Sequence, residues 1–195
     1  TVGGVLSTND TAALRWRFGG LRDLVIGTTL ALPDGTLARS GGKVVKNVAG
    51  YDLSKLVTGA FGTLGVITSA TFRLHPMPQV ARTLTATVAD LDRAQSLLLA
   101  IQESQLVPTS VQVRFGSTGP AAVDVLFEGT TVGVDTQSKG LQVLAGDARC
   151  EEASGNIWQA RQALWRGDDA GILKVNTLLG DLAAFGRAVR RLGHE

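Results

Sequence analysis

The sequence predicts an α+β protein of two units, over residues 1–78 and 79–195, and three observations predict it. A helical pattern ahead of residue 62 passes through closely spaced glycines into an alternating strand pattern. Pro76-Met77-Pro78 then interrupts the chain with two residues that cannot donate a ladder hydrogen bond. Beyond that break the elements read strand, helix, strand, strand, helix, strand, which is the order of a split βαβ, ferredoxin-like unit.

Taken in order, Thr1 to Asn9 is small and polar after Val5-Leu6, with Gly3-Gly4 allowing close approach. Ser7, Thr8 and Asn9 read either as a turn or N-cap sequence, or as hydroxyl and amide groups for the polar edge of a ligand ring. Arg22 and Asp23 precede the apolar run Leu24 to Leu32. Pro33-Asp34-Gly35 signals a hairpin turn, after which Thr36 to Arg39 returns antiparallel. Lys43, Lys46 and Asn47 follow, readable as groups facing an anion or as solvated strand residues.

Leu53, Leu56, Val57, Ala60 and Phe61 recur at the spacing of one buried helical face. Gly59, Gly62 and Gly65 follow at every third residue, and Val66 to His75 alternates with Ala70, Phe72 and Leu74 on one side. Such a turn reaches positive φ and can lay bare N–H groups against phosphates or flat rings; it serves equally as a tight helix-to-strand connection. It is not a dinucleotide fingerprint, whose glycines are spaced two and three and run from strand into helix. Nor is it a P-loop, because Gly42-Lys43 is followed by Val44.

In the second unit Leu84, Ala86 and Val88 alternate as a strand, and Asp90 caps a helix carrying Leu91, Ala94, Leu98 and Ile101. Val111, Val113 and Phe115 mark a second strand, Ala121 to Phe127 a third, and Val134, Leu141 and Ala145 a second helix. Ile172 to Val175 is the expected fourth strand, and Leu182, Phe185 and Val189 mark a last helix. Arg187, Arg190 and Arg191 lie opposite that apolar stripe and read as a solvated face. Trp158 and Trp165 read as core anchors, with Arg161 and Arg166 exposed; the alternative is a substrate pocket with arginine pairing a carboxylate.

Composition narrows the class. With 195 residues, 44% of them hydrophobic, the chain can bury a sizeable core, and a net charge of +2 from scattered basic residues argues against nucleic acid as a partner. One cysteine, Cys150, permits no internal disulfide and suits a reducing compartment. His75 and His194 are the only histidines and lie far apart, so no metal site is expected. No apolar run is long enough for a transmembrane segment and no signal-peptide pattern opens the chain, so a cytoplasmic location is expected, with any membrane contact made through partner subunits.

The run GGKVVKNVAGYDLSKLVTGAFGTLGVITSATFRLHP, with TVGGVLSTN and FGGLRDLVIGTTLALPDG before it, resembles the FAD-binding domain of the vanillyl-alcohol oxidase and p-cresol methylhydroxylase superfamily. The likeness is greatest to the FAD-binding E subunit of bacterial glycolate oxidases, and several motifs occur in the right order over roughly the first 78 residues. The resemblance implies the second half of such an FAD domain followed by a ferredoxin-like cap, with the first half expected before Thr1 and further strands expected after Glu195.

It implies that Gly4, Ser7 and Thr8 line the isoalloxazine and that Gly19 and Arg22 lie beside the cofactor. It also implies that the backbone of Gly62, Gly65, Val66 and Ile67 meets the adenosine and pyrophosphate. Two departures stand out: Asp10 to Leu14 replace the small residues common after the asparagine, and Phe61 replaces an acidic or polar residue. The function implied is a subunit that oxidises a small 2-hydroxy acid such as glycolate by hydride transfer to FAD, working with other oxidase subunits or a second copy. The alternative is a non-catalytic structural subunit with a degenerate FAD fold. No catalytic residue can be assigned from spacing.

Overall fold

The computed structural model describes residues 1–44, 50–153, 157–159 and 175–192. The chain divides into two compact units, Thr1–Met77 and Pro78–Glu195.

The first unit is built on a three-stranded antiparallel sheet in which β1 (Val25–Ala31) lies between β2 (Leu37–Gly41) and β3 (Val66–Phe72). The expected hairpin joins β1 to β2, with Thr29 opposite Arg39 and Leu30 opposite Ala38. Its turn is closed by Leu32 N–H donating to Thr36 O at 2.9 Å, with Gly35 at φ +84°. The Thr36 N–H also donates to the Asp34 carboxylate at 2.9 Å, which holds that carboxyl below its ordinary range.

Helix α1 (Val2–Thr8) opens the unit, and α2 (Arg15–Phe18) and α3 (Leu21–Leu24) are single turns before β1. Ser7-Thr8-Asn9, read from sequence as a turn or N-cap, instead closes a helix. Thr1 Oγ1 accepts from Gly4 N–H at 3.1 Å, and Asn9 ends the helix in the left-handed region, φ 49° and ψ 46°.

α4 (Leu53–Val57) is capped by Asp52, which accepts from Lys55 N–H at 3.1 Å. It is shorter than the apolar spacing predicts, because Thr58 is extended and Gly59 sits at φ +84°. Only Val57 of the expected face is fully buried; Leu56 is 59% and Phe61 74% exposed. The strand face fares similarly. β3 ends at Phe72, Leu74 is exposed, and Ala70 and Phe72 are half-buried. Leu6, Val25, Leu30 and Val57 form the core, and the Thr28 and Ser54 hydroxyls meet 3.2 Å apart where α4 crosses β1.

The second unit carries β4 (Val80–Val88), α5 (Leu91–Glu103), β5 (Ser110–Phe115), β6 (Ala121–Gly129), α6 (Thr131–Ala145) and β7 (Arg149–Glu152), then α7 (Leu182–Leu192). The strands lie in the order β5-β6-β4-β7, with β4 and β5 both antiparallel to the β6 that separates them. That is the split βαβ arrangement predicted. Leu84, Ala86, Val88, Val123, Val125 and Phe127 form one buried face, and Leu91, Ala94, Leu98, Ile101, Val134 and Leu141 supply the buried stripes of the helices. Asp90 accepts from Arg93 N–H at 2.8 Å and Thr130 from Gly133 N–H at 3.3 Å, so both helices begin at side-chain caps.

Two expectations are corrected here. The fourth strand is Arg149–Glu152, paired with β4 from Leu84 to Thr87; residues 172–174 lie outside the described residues, and Val175 is in no strand. The α7 arginines are not simply solvated. Arg187 pairs with Asp92 at 2.6 Å, while Arg190 donates to Gly116 O and Gly119 O at 3.0 and 2.9 Å and lies 5.7 Å from the Phe115 ring centroid. The helix is buried through Ala183 and Gly186, the latter against Leu91, where there is no room for a larger side chain.

Among the described residues no helix is long and apolar enough to cross a membrane, and no cluster of three or more histidine, cysteine, aspartate or glutamate side chains could hold a metal ion. Cys150 is half-buried in β7, and burial pushes its thiol above the ordinary range.

Candidate functional site

The turn from Gly59 to Gly65 is docked onto the C-terminal end of α1. Gly59 N–H donates to Leu6 O at 3.1 Å, an oxygen that also accepts from the capping Asn9 N–H at 3.1 Å, and Phe61 N–H donates to Ser7 O at 2.8 Å, so the turn takes up the Ser7 carbonyl that the helix end leaves unpaired. Gly59, Gly62 and Gly65 all have positive φ, at +84°, +75° and +152°, and Phe61 joins them at +53°. A Cβ on Gly62 would meet nothing within 4 Å. The N–H groups of Gly62 and Leu64 find no acceptor among the described residues. Bare backbone donors beside open space are what a phosphate or a ring edge requires.

Asn9 sits at the junction. Its Oδ1 is buried without a hydrogen-bond partner, and positions for a Cβ on Gly59 and on Gly20 lie 3.2 Å from Asn9 Cβ and 3.9 Å from Asn9 Oδ1. An orphaned buried acceptor is costly in a finished fold and calls for a donor. Sequence reasoning named Asn9 only among the polar groups of its segment; its left-handed cap position was the available signal, and its burial depends on glycines distant in sequence.

The predicted site residues divide accordingly. Ser7 and Thr8 are brought to the glycine turn, but each hydroxyl donates to Gly4 O at 3.0 Å, so both are left as acceptors. Gly4 itself is part of the α1 cap. Gly19, at φ +77°, could carry no side chain because Asp23 Oδ2 would stand 2.6 Å from it, and this carboxylate accepts from Gly20 N–H at 2.8 Å. Gly19 is thus explained by its own turn. Arg22 is exposed on α3 and makes no hydrogen bond or ion pair among the described residues. Gly65 packs against β1, where Ala31 O would lie 2.8 Å from a Cβ. Val66 is 69% exposed and Ile67 half-buried at the start of β3, and Ile67 O faces Gly3. Lys46 and Asn47, and in the second unit Arg161, Trp165 and Arg166, lie outside the described residues. Trp158 is half-buried, its indole N–H donating to Thr83 Oγ1 at 3.0 Å.

With this geometry in hand, comparison with known proteins defines the class. The chain is homologous to FAD-binding proteins of the vanillyl-alcohol oxidase and p-cresol methylhydroxylase type, and FAD is the cofactor that goes with that class. It is 34% identical over 187 residues to a mitochondrial D-lactate dehydrogenase [cytochrome] of Arabidopsis thaliana, covering 85% of the chain and 33% of that protein. It is 32% identical over 159 residues to glycolate oxidase subunit GlcE of Escherichia coli, covering 82% and 42%. Against glycolate oxidase subunit GlcD of Bacillus subtilis the identity is 29% over 177 residues, covering 91% and 37%. No family model matches the chain.

Among solved structures, alkyldihydroxyacetonephosphate synthase superposes with a TM-score of 0.67 at 21% identity, over 83% of this chain and 35% of that one. A Physcomitrella patens BBE-like 1 protein superposes at 0.54 and 19% identity, over 77% and 33%. Both bear on the fold. The chain spans between 33% and 42% of the length of these three curated relatives.

The residues present fit FAD at the level of donors and space. Gly62 and Leu64 offer free N–H groups beside a side-chain-free position, and Asn9 offers an unpaired buried acceptor.

Proposed function

We propose that this chain supplies one wall of the flavin site in an FAD-linked oxidoreductase acting on a small 2-hydroxy acid such as glycolate. When bound, FAD would supply the hydride acceptor for oxidation of a 2-hydroxy acid to the 2-oxo acid, with the hydroxyl proton passing to a base. The chain's own part is binding and orientation. Gly62 and Leu64 N–H donate to the cofactor's anionic or ring oxygens, with the backbone of Gly65, Val66 and Ile67 continuing that edge. Ser7 and Thr8 accept from the ring N–H side, as does Asn9 Oδ1. Gly4 holds those two hydroxyls in place, and Gly19 and Arg22 border the site. Other oxidase subunits, or a second copy, carry the electrons onward.

What supports this reading is the Gly59–Gly65 turn, held at positive φ against α1 with open space at Gly62, in the stretch where the resemblance to FAD-linked oxidases is densest. The test is FAD uptake by the full-length protein, read from its visible absorption, for Gly62→Ala against Gly35→Ala. Gly35 has a comparable φ of +84° and equally open surroundings, so both substitutions carry the same backbone strain of about 1–2 kcal/mol. Only Gly62→Ala should weaken FAD binding, by about tenfold or more. Equal FAD affinity in the two variants would remove the site. A wild-type protein that takes up no FAD would favour the structural-subunit alternative.

A further inference from the structure

The geometry points to a carboxylate subsite on the second unit's sheet, formed by the outward edge of Arg114 over a floor of Thr87 and Ala122. Arg114 is held from one side only. Its Nε donates to Asp124 Oδ2 at 2.6 Å and its Nη2 to Asp124 Oδ1 at 3.0 Å. Asp124 is wholly buried, and it is fixed in turn by Thr85 Oγ1 at 2.7 Å and Gln112 Nε2 at 2.9 Å. All of these side chains stand on the face opposite the apolar one that packs against the helices.

A guanidinium has five N–H donors, and this pairing engages two of them, on the Nε side. Nη1 and the remaining N–H of Nη2 make no hydrogen bond among the described residues. Together they form the planar fork that matches a second carboxylate bidentately. Because Asp124 locks the plane, little side-chain entropy remains to be lost on binding.

The space in front is provided by small residues. Thr87, Ala122 and Arg114 are successive partners across β4, β6 and β5. A hollow of about 310 Å³ opens there, bounded also by Gly116 and Pro120. A long side chain at either floor position would fill it. The Thr87 side chain is exposed and supplies a hydroxyl beside the fork, suited to a second oxygen on the ligand. Since Asp124 already balances the charge of Arg114, the site favours small monocarboxylates bearing a neighbouring hydroxyl over polyanions. The choice of a 2-hydroxy acid as occupant rests on the flavin reading above; the carboxylate chemistry rests on Arg114 alone.

The experiment is calorimetric titration of the full-length protein with glycolate and, separately, with glycolamide, which has the same shape without the charge. Wild type should bind glycolate and not glycolamide. Ala122→Leu fills the floor and leaves the Arg114–Asp124 pair untouched; Arg114→Lys keeps a charge for Asp124 but loses the outward fork. Each should weaken glycolate binding at least about tenfold with the fold retained by circular dichroism. Glycolate binding by Ala122→Leu at wild-type strength would overturn the subsite, as would equal binding of glycolamide or no binding by wild type. FAD content is read in parallel. Lost glycolate binding in Ala122→Leu without any FAD uptake in wild type keeps the subsite and rejects the flavin reading. Normal FAD with unaffected glycolate binding does the reverse.

Discussion

The sharpest energetic prediction concerns the same ion pair, because its two members differ in exposure. The Asp124 side chain is 0% exposed and that of Arg114 43%. Arg114→Ala strips two of four hydrogen bonds from a carboxylate that water cannot reach, leaving it with Thr85 and Gln112. A buried charge that loses its partner costs about 3–5 kcal/mol, and the two remaining donors bring this towards about 3 kcal/mol. Asp124→Ala loses all four hydrogen bonds but also removes the buried charge and its desolvation penalty, and it leaves a guanidinium that is already half in water and can rehydrate, so its net cost is held to about 1.5–3 kcal/mol. Arg114→Ala should therefore be the more damaging change, even though each deletes the same salt bridge. Asp124 holds Arg114 above its ordinary range, so the pair stays ionised on the arginine side throughout the working pH range. Native-state hydrogen exchange at the β6 amides reads the stability of this unit by itself. Equal costs, or a larger cost for Asp124→Ala, would mean that solvent reaches the carboxylate and would refute the burial argument.

Two further outcomes are expected. Phe61 holds a left-handed conformation, φ +53°, with its ring 74% exposed, so Phe61→Gly should stabilise the first unit by about 0.5–1 kcal/mol, the relieved strain less the entropy glycine brings. Hydrogen exchange at β1 checks this, and a net loss of stability would show that the ring packs against something. Cys150 should be alkylated by iodoacetamide more slowly than a free thiol near neutral pH, because burial raises its pKa and lowers the thiolate fraction; urea should abolish the difference, and equal rates in the folded protein would contradict it.

How far these features could be read from sequence follows from how local their causes are. α5 was legible because Asp90 and the stripe Leu91, Ala94, Leu98 and Ile101 lie within one short window, and the hairpin because Pro33-Asp34-Gly35 carries its own turn chemistry. β7 was not, since Arg149-Cys150-Glu151-Glu152 is charged at three of its four positions and is a strand only because β4 offers an unpaired edge. α1 was hidden by Gly3-Gly4, whose low helix propensity is overcome by the Thr1 cap and by the turn that docks on its far end. The helical stripe through Phe61 misled for the converse reason. Gly59 breaks the period at positive φ, and beyond it Ala60 is half-buried and Phe61 faces outward. The Arg114–Asp124 pair is invisible in one dimension because it is diagonal across β5 and β6 and appears only once their register is known.

The glycines show why spacing alone overstates a ligand site. Gly59, Gly62 and Gly65 form one motif in sequence, yet they are required for different reasons. At Gly65 a Cβ would strike the Ala31 carbonyl, and at Gly59 it would come within 3.2 Å of Asn9 Cβ at a φ of +84°, so internal geometry favours glycine at both whether or not anything binds. Replacing Gly65 would lower cofactor content through the fold itself, and such a loss would say nothing about contact. Gly62 has nothing beside it, and only its φ of +75° speaks for glycine from within the chain. An alanine there meets no protein atom and bears only the modest left-handed penalty. Its effect on FAD, measured against the same penalty at Gly35, is therefore the part of the motif that reports on a ligand and not on the turn.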